Sequence, residues 1–208
     1  TGGMPVTPVV PEALRDAPPE AINQIPVILE RVKAVKAYRA ESKREATRKL
    51  ADFPALFGEI RQPTTRLVLI PRHSSETRRY IPLSYFGPSS IVHDSCLFLP
   101  KATLFHFGVL SSEMHMAWMR QVCGRIKSDF RYSVKLVYNN FPWPEPKTDK
   151  QHEAVESAAQ AVLDAREKYP TSTLADLYSP LLMPAPLLKA HQALDRAVDR
   201  CYRSEPFA

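Results

Sequence analysis

"RLVLIPRHSSETRRYIPL", residues 66–83, sets an aliphatic run, a dense knot of polar side chains and a second apolar run side by side. Short β-branched or aromatic runs separated by turn residues read as strands. The pattern continues with "SIV" (90–92), "CLFL" (96–99) and "TLFHF" (103–107), and the breaks fall at Pro63, Pro71, Gly87-Pro88, Pro100 and Gly108. These predict a small, mostly antiparallel sheet with irregular loops. "SSEMHMAWMRQVCGRI" (111–126) changes to helical spacing, with Ser111 or Ser112 as cap and Met114, Trp118, Val122 and Ile126 on one face. "RYSVKLVY" (131–138) returns to strand.

Upstream, residues 1–20 hold five prolines and read as an extended lead-in. From Ile22 to about Leu50 the period is helical. Ile25, Ile28, Leu29, Val32 and Val35 form one stripe, and Arg31, Lys33, Lys36, Arg39, Lys43, Arg44, Arg48 and Lys49 lie opposite. Downstream of Pro146 a capping box, Thr148 to Gln151, opens a helix with Val155, Ala159, Val162 and Leu163 on one side. "STLADLY" (172–178) is a short helical piece. "PAPLLKAHQALDRAVDRCY" (184–202) keeps Leu187, His191, Leu194, Val198 and Cys201 in register. Such a hairpin is too small to fold well alone and should pack on a neighbour. The fold class expected is α+β: a small, mostly antiparallel sheet with flanking helices, followed by a C-terminal helical hairpin. The domains expected are a lead-in at 1–20, a main domain at 21–146 and a helical domain at 147–208.

The chain has 208 residues and 44% hydrophobic composition, enough for a real core. No run of 18 apolar residues and no basic-then-apolar leader occur, and Met4 behind Thr-Gly-Gly reads as an internal residue of a longer protein. Three widely spaced cysteines, Cys96, Cys123 and Cys201, argue for a reducing, cytoplasmic setting and against a disulfide framework or structural zinc. The net charge of +6 is uneven: 19 Lys and Arg against 8 Asp and Glu lie from Arg31 to Lys135, a balance of +11, and the remainder carries −5. A concentrated basic segment points to a polyanion, nucleic acid first.

The motifs exclude several chemistries within this stretch. With six glycines and no Gly-x-Gly turn after a strand, nothing here would cradle S-adenosylmethionine in a methyltransferase. Glu76 and Asp94 lack the partner a metal-dependent nuclease site needs, and neither a Walker loop nor Gly-x-Ser-x-Gly is present. "VYNNFPWPEP" (137–146) shares only composition with an amino-methyltransferase loop. Its Phe141 and Trp143 read as anchors, Pro142 and Pro144 as stiffeners, and Asn139 and Asn140 as groups that satisfy backbone where a strand ends. The stretch is expected to form the hinge between the two domains.

DNA-reading chemistry is better represented. Arg72, His73, Ser75, Glu76, Arg78 and Arg79 crowd the loop between two strand-like runs, and Arg61 and Gln62, with Thr64 and Thr65, form a weaker second set. Arg grips guanine, Glu accepts from cytosine and Ser or Thr serves either. The bland alternative is an ordinary hairpin loop in which Glu76 pairs with an arginine. His93, Asp94, Ser95 and Cys96 are a reserve set. Lys36, Lys43 and Arg44, with Arg125, Lys127 and Arg131, suit phosphates. His106 and His115 read as hydrogen-bonded core histidines, and Met114, Met116, Trp118 and Met119 as core.

Four stretches in this order carry a resemblance: "LFGEIRQPTTRLVLIPRHSSETRRYIP", "ATLFHFGVLSSEMHMAWMRQVCGRIKSDFRYS", "VYNNFPWP" and "ADLYSPLLMPAPLLKAHQALDRAVDRCY". Together they resemble the C-terminal part of MmeI-like (type IIL) restriction–modification enzymes and their adenine-specific methyltransferase relatives, over roughly residues 25–203. The resemblance implies a double-stranded-DNA target-recognition domain followed by a C-terminal helical domain. It implies that adenine-N6 methylation is done by a methyltransferase domain of the same polypeptide, using S-adenosylmethionine, with Mg if a nuclease is present. It implies no catalytic residue and no cofactor in this stretch, and a role in bacterial-type defence. A rival reading is a structural domain that docks the methyltransferase to other domains or to a partner protein.

Overall fold

The computed structural model describes residues 20, 24–56, 58, 63–203 and 205. They fall in two compact units, Thr1–Arg61 and Gln62–Ala208.

In the first unit, helix α1 (Pro26–Ala40) begins with proline at its first turn, where a missing N–H costs nothing. Helix α2 (Glu45–Lys49) and a 3-10 turn (Leu50–Asp52) follow. The long helix expected to about Leu50 is thus broken at 41–44. Arg39 explains the fold-back: its guanidinium donates to the carbonyls of Leu50 (3.0 Å), Phe53 (2.8 Å) and Leu56 (2.8 Å). Arg48 similarly grips the carbonyls of Ser42 and Lys43. No residue of α1 is fully buried, and the expected apolar stripe is only partly covered.

The second unit holds two three-stranded antiparallel sheets. In the first, β1 (Leu67–Pro71) lies between β3 (Ser84–Phe86) and β4 (Cys96–Pro100), with Leu67 opposite Phe86 and Pro100. In the second, β6 (Asp129–Arg131) lies between β2 (His73–Ser74) and β5 (Gly124–Ile126). Helices α3 (Leu104–Leu110) and α4 (Glu113–Val122) flank the sheets, and α5 (Asp149–Glu167), α6 (Leu174–Leu177) and α7 (Ala185–Tyr202) complete the unit. The fold is α+β, with a small antiparallel sheet system, flanking helices and a C-terminal helical region.

Several local expectations change. Residues 103–107 begin a helix, because Thr103 and His106 cap each other's backbone N–H reciprocally. Phe105, Phe107, Gly108, Val109 and Leu110 are all buried, so the helix shows no polar face and its period was hidden. Residues 78–83 and 90–92 form no strand. Ile126 belongs to β5 and is 43% exposed, off the helix face first drawn for it. The segment Val134–Tyr138 is a π-helical turn instead of a strand. Asn140 Nδ2 caps it on the carbonyls of Lys135 (2.6 Å) and Leu136 (3.2 Å), and Trp118 Nε1 holds the Val137 carbonyl (2.9 Å). Phe141 is buried edge-on against His115 and Trp143, so "NNFPWP" does anchor the chain.

The C-terminal helices are built into the same core as the sheets. Val155, Ala159 and Val162 of α5 and Leu187, Leu194 and Val198 of α7 are fully buried in one cluster with Val68, Phe107 and Leu110. Gly108 permits this closeness: a Cβ there would lie 3.0 Å from Val155 Cγ1, 3.1 Å from Ala159 Cβ and 3.2 Å from Leu194 Cδ1.

Candidate nucleic-acid interface

Arg72 is the corner where the chain leaves one sheet for the other. Its N–H donates to the Ser95 carbonyl (3.0 Å), beside β4, and its carbonyl accepts from Tyr132 N–H (2.7 Å), just after β6. Between β1 and β2 there is only this residue, so the chain passes directly from the first sheet to the second, and the polar loop follows at 75–79. Two polar atoms at the corner, Arg72 Nε and Ser74 Oγ, are buried without a hydrogen-bond partner among the described residues.

The second sheet brings together segments some fifty residues apart. His73 lies opposite Arg131 and Ser74 opposite Phe130. Arg125 reaches across to Glu76 (3.5 Å), donates to the Ser128 carbonyl (2.8 Å), and covers the Phe130 ring at 4.2 Å. Glu76 N–H meets Asp129 Oδ1 at 3.4 Å. Lys127 sits at the tip of the β5–β6 hairpin with φ of 55°, a left-handed position that a non-glycine residue takes up only in tight turns. His73, Glu76, Arg125, Lys127, Asp129 and Arg131 are all exposed; Arg125 shares a face with Ser74 and the buried Phe130, and His73, Asp129 and Arg131 lie on the other face. The result is a polar, net-basic ribbon whose charged groups surround one packed aromatic ring. Exposed pairs such as Arg125–Glu76 add little stability, so the groups are free to exchange partners with a ligand.

The loop at 75–79 is shaped from within. Ser75 Oγ is 3.0 Å from Thr77 Oγ1, and Arg78 N–H closes a turn on the Ser75 carbonyl (3.2 Å). The Arg78 guanidinium has no partner among the described residues. Arg79 points elsewhere, to Glu113 Oε2 at 3.3 Å, and Glu113 also pairs with Arg120. The reserve loop lies near the corner, with His93 Nδ1 3.0 Å from Ser95 Oγ and 3.1 Å from Asp94 Oδ1, all exposed.

Of the residues singled out from sequence, His73, Ser75, Glu76, Arg125, Lys127 and Arg131 thus converge on one sheet. Lys36, Lys43 and Arg44 are exposed in the first unit. Arg61 and Gln62 lie outside the described residues. Sequence reasoning missed Asp129, Glu113 and Asp195, whose roles come from partners distant along the chain. It also missed Arg166, a buried cation that donates to the Leu83 carbonyl (2.6 Å) and, from Nε, to Tyr178 OH (2.8 Å). Tyr178 in turn lies 2.6 Å from His191 Nε2. Because Tyr178 already accepts from Arg166, its own proton goes to His191, which must be neutral with Nδ1 protonated. Burial, helped by the Arg166 charge, pulls the His191 pKa down to about 3, and burial alone does the same for His115, whose Nε2 lies 3.0 Å from Tyr132 OH. Both histidines are core residues, as expected for His115.

Residues 13–145 match the model of the MmeI target recognition domain, and residues 147–208 match that of the MmeI C-terminal domain. The chain belongs to the MmeI family. This stretch is a DNA target-recognition module with the family's C-terminal domain, and it corresponds to that part of its relatives rather than to a catalytic domain. It is 40% identical over 194 residues to DNA methyltransferase A of Bacillus subtilis (strain 168), covering 93% of this chain and 22% of that protein. A solved structure of the type IIL restriction–modification enzyme MmeI in complex with DNA superposes with a TM-score of 0.85 at 46% identity. That match covers 91% of this chain and 25% of the MmeI chain. The chain therefore spans about a quarter of the length of these relatives. Among the described residues no helix is long and apolar enough to cross a membrane, and no three His, Cys, Asp or Glu side chains are grouped to hold a metal.

Proposed function

We propose that this MmeI-type module selects the double-stranded DNA sequence modified by a longer adenine-specific methyltransferase, and does so with the exposed side chains of the second sheet and its loops. The observation that carries this reading is the convergence of the 72–79 loop and the β5–β6 hairpin on that sheet. Bidentate side chains stand beside cations there, the pairing needed for base discrimination with phosphate anchoring. Arg61, Gln62, Arg72, His73, Ser75, Glu76, Arg78 and Arg79 are the proposed base readers, with Arg78 the strongest because its guanidinium has no partner among the described residues. Lys36, Lys43, Arg44, Arg125, Lys127 and Arg131 are the proposed phosphate contacts.

The methyltransferase domain belongs to the same polypeptide and supplies the S-adenosylmethionine site, and any nuclease supplies the Mg site. The protein works in the cytoplasm. Residues 21–146 read the DNA, and 147–208 form the C-terminal domain. Binding by the intact chain to a pool of randomised duplexes tests the reading: one sequence should be enriched, and equal recovery of all sequences would reject it.

A docking role has one observation in its favour. Leu181 and Leu182, on the loop between α6 and α7, are 92% and 64% exposed. Such neighbouring leucines suit a contact with the rest of the same polypeptide. Leu181→Asp with Leu182→Asp should then loosen the association of domains in the longer protein and leave the enriched sequence unchanged.

A further inference from the structure

The recognition loop is tied to the last helix of the chain by a continuous set of polar contacts. Tyr80, buried directly after the loop, donates its hydroxyl to Asp195 Oδ2 of α7 at 2.6 Å. The other oxygen, Asp195 Oδ1, accepts the Glu113 N–H at 2.8 Å. Asp195 therefore caps the first turn of α4, where an anion is favoured by the free N–H groups. Glu113 turns its own carboxylate back to the loop, taking Arg79 Nε at 3.3 Å on one oxygen and Arg120 on the other. Arg120 Nη2 closes the circuit on the Arg79 carbonyl at 3.3 Å. Below, Tyr80 stacks on His191 of α7, ring centroids 4.1 Å apart. The backbone at Arg79, the side chain at Arg79 and the side chain at Tyr80 are thus all fixed by contacts that lead to one carboxylate, 115 residues away from Tyr80.

We infer that Asp195 is a positioning residue for base readout: through Tyr80 and Glu113 it holds the 75–79 loop in its reading geometry, so the C-terminal domain helps to set sequence choice. The inference rests on the recognition reading above. It differs from a docking role for the C-terminal helices, which would leave sequence choice alone. Both carboxylate oxygens of Asp195 are engaged within the protein, by Tyr80 and by Glu113 N–H. Its carboxylate is partly buried, and its two hydrogen bonds offset the desolvation.

The test uses the intact chain, the duplex that the wild type enriches from a randomised pool, and a scrambled duplex of equal composition. The readout is the ratio of the two affinities, with thermal unfolding and the salt slope measured alongside. Asp195→Ala should lower the ratio about tenfold, the effect of one misread base pair. Tyr80→Phe, which loses one hydrogen bond, should lower it about threefold. Asp195→Asn keeps the shape and can reverse its donor toward Tyr80, so it should rescue most of the ratio. Val198→Ala, a core truncation on the same helix, should cost stability and leave the ratio within about twofold. The salt slope on the scrambled duplex should stay that of the wild type, because no phosphate contact is removed. If Asp195→Ala does not fold, Tyr80→Phe against Asp195→Asn decides. Unchanged ratios in folded Asp195→Ala and Tyr80→Phe would overturn the inference, as would an equal loss in Val198→Ala. A wild type that enriches no sequence would overturn the recognition reading itself.

Discussion

Arg78 and Arg79 are adjacent in sequence and opposite in surroundings. Arg79 is engaged by Glu113, and its carbonyl by Arg120, while the Arg78 guanidinium has no protein partner among the described residues. Arg78→Ala should therefore leave thermal stability near wild type, cost ~1–3 kcal/mol against the preferred duplex and relax one position of the site. Arg79→Ala should lower the unfolding temperature as well as the selectivity, because it frees a carboxylate that two cations now share. Lys127→Ala at the hairpin tip should weaken preferred and scrambled duplexes alike, and reduce the salt slope by about 0.9 for one lost phosphate contact. A salt titration with both duplexes separates these three behaviours.

At the scale of elements, Gly108 of α3 is a close-packed joint with the C-terminal helices. A helical glycine replaced by alanine would ordinarily gain about 1 kcal/mol, but here the Cβ meets three side chains at 3.0–3.2 Å. Gly108→Val adds two further methyls to that contact and should destabilise by ~1–3 kcal/mol, measured by denaturant unfolding. The same helix shows where sequence reading fails. Its residues 105 and 107–110 are buried on every side, so no 3.6-residue period survives, and "TLFHF" imitates a strand. Residues 134–138 imitate one too, because the caps that wind them, Asn140 and Trp118, lie outside the run. By contrast α5 and α7 each bury one face only, and the stripe from Leu187 to Cys201 was legible residue by residue. The loop at 72–79 and the basic run at 125–131 were both visible as chemistry. That β2 and β6 pair them was not, since register between strands of two or three residues leaves no pattern in sequence.

At the scale of the molecule, two buried histidines make the second unit sensitive to acid. His115 and His191 have folded pKa values of about 3 against an ordinary 6.5. The unfolded chain binds more protons between those values, so stability is fully present above pH 6.5 and is lost as pH falls toward 3. Each histidine contributes a slope of roughly 1.4 kcal/mol per pH unit within that window. Denaturant melts from pH 7 to pH 4.5 should show the decline, and a neutral replacement such as His115→Gln should flatten it. The charge pattern acts at the same scale. The basic balance from Arg31 to Lys135 favours DNA of any sequence, so selectivity is a separate property, which we assign by proposal to the second sheet.

The most direct measurement is a map of modified adenines in DNA exposed to the longer protein carrying either the wild-type face or Arg78→Ala. The wild type should modify adenine within one defined sequence, and Arg78→Ala should modify the same adenine with one flanking position degenerate. If the modified sequence stays identical when residues 73–79 and 125–131 are replaced in turn, the second sheet does not read DNA.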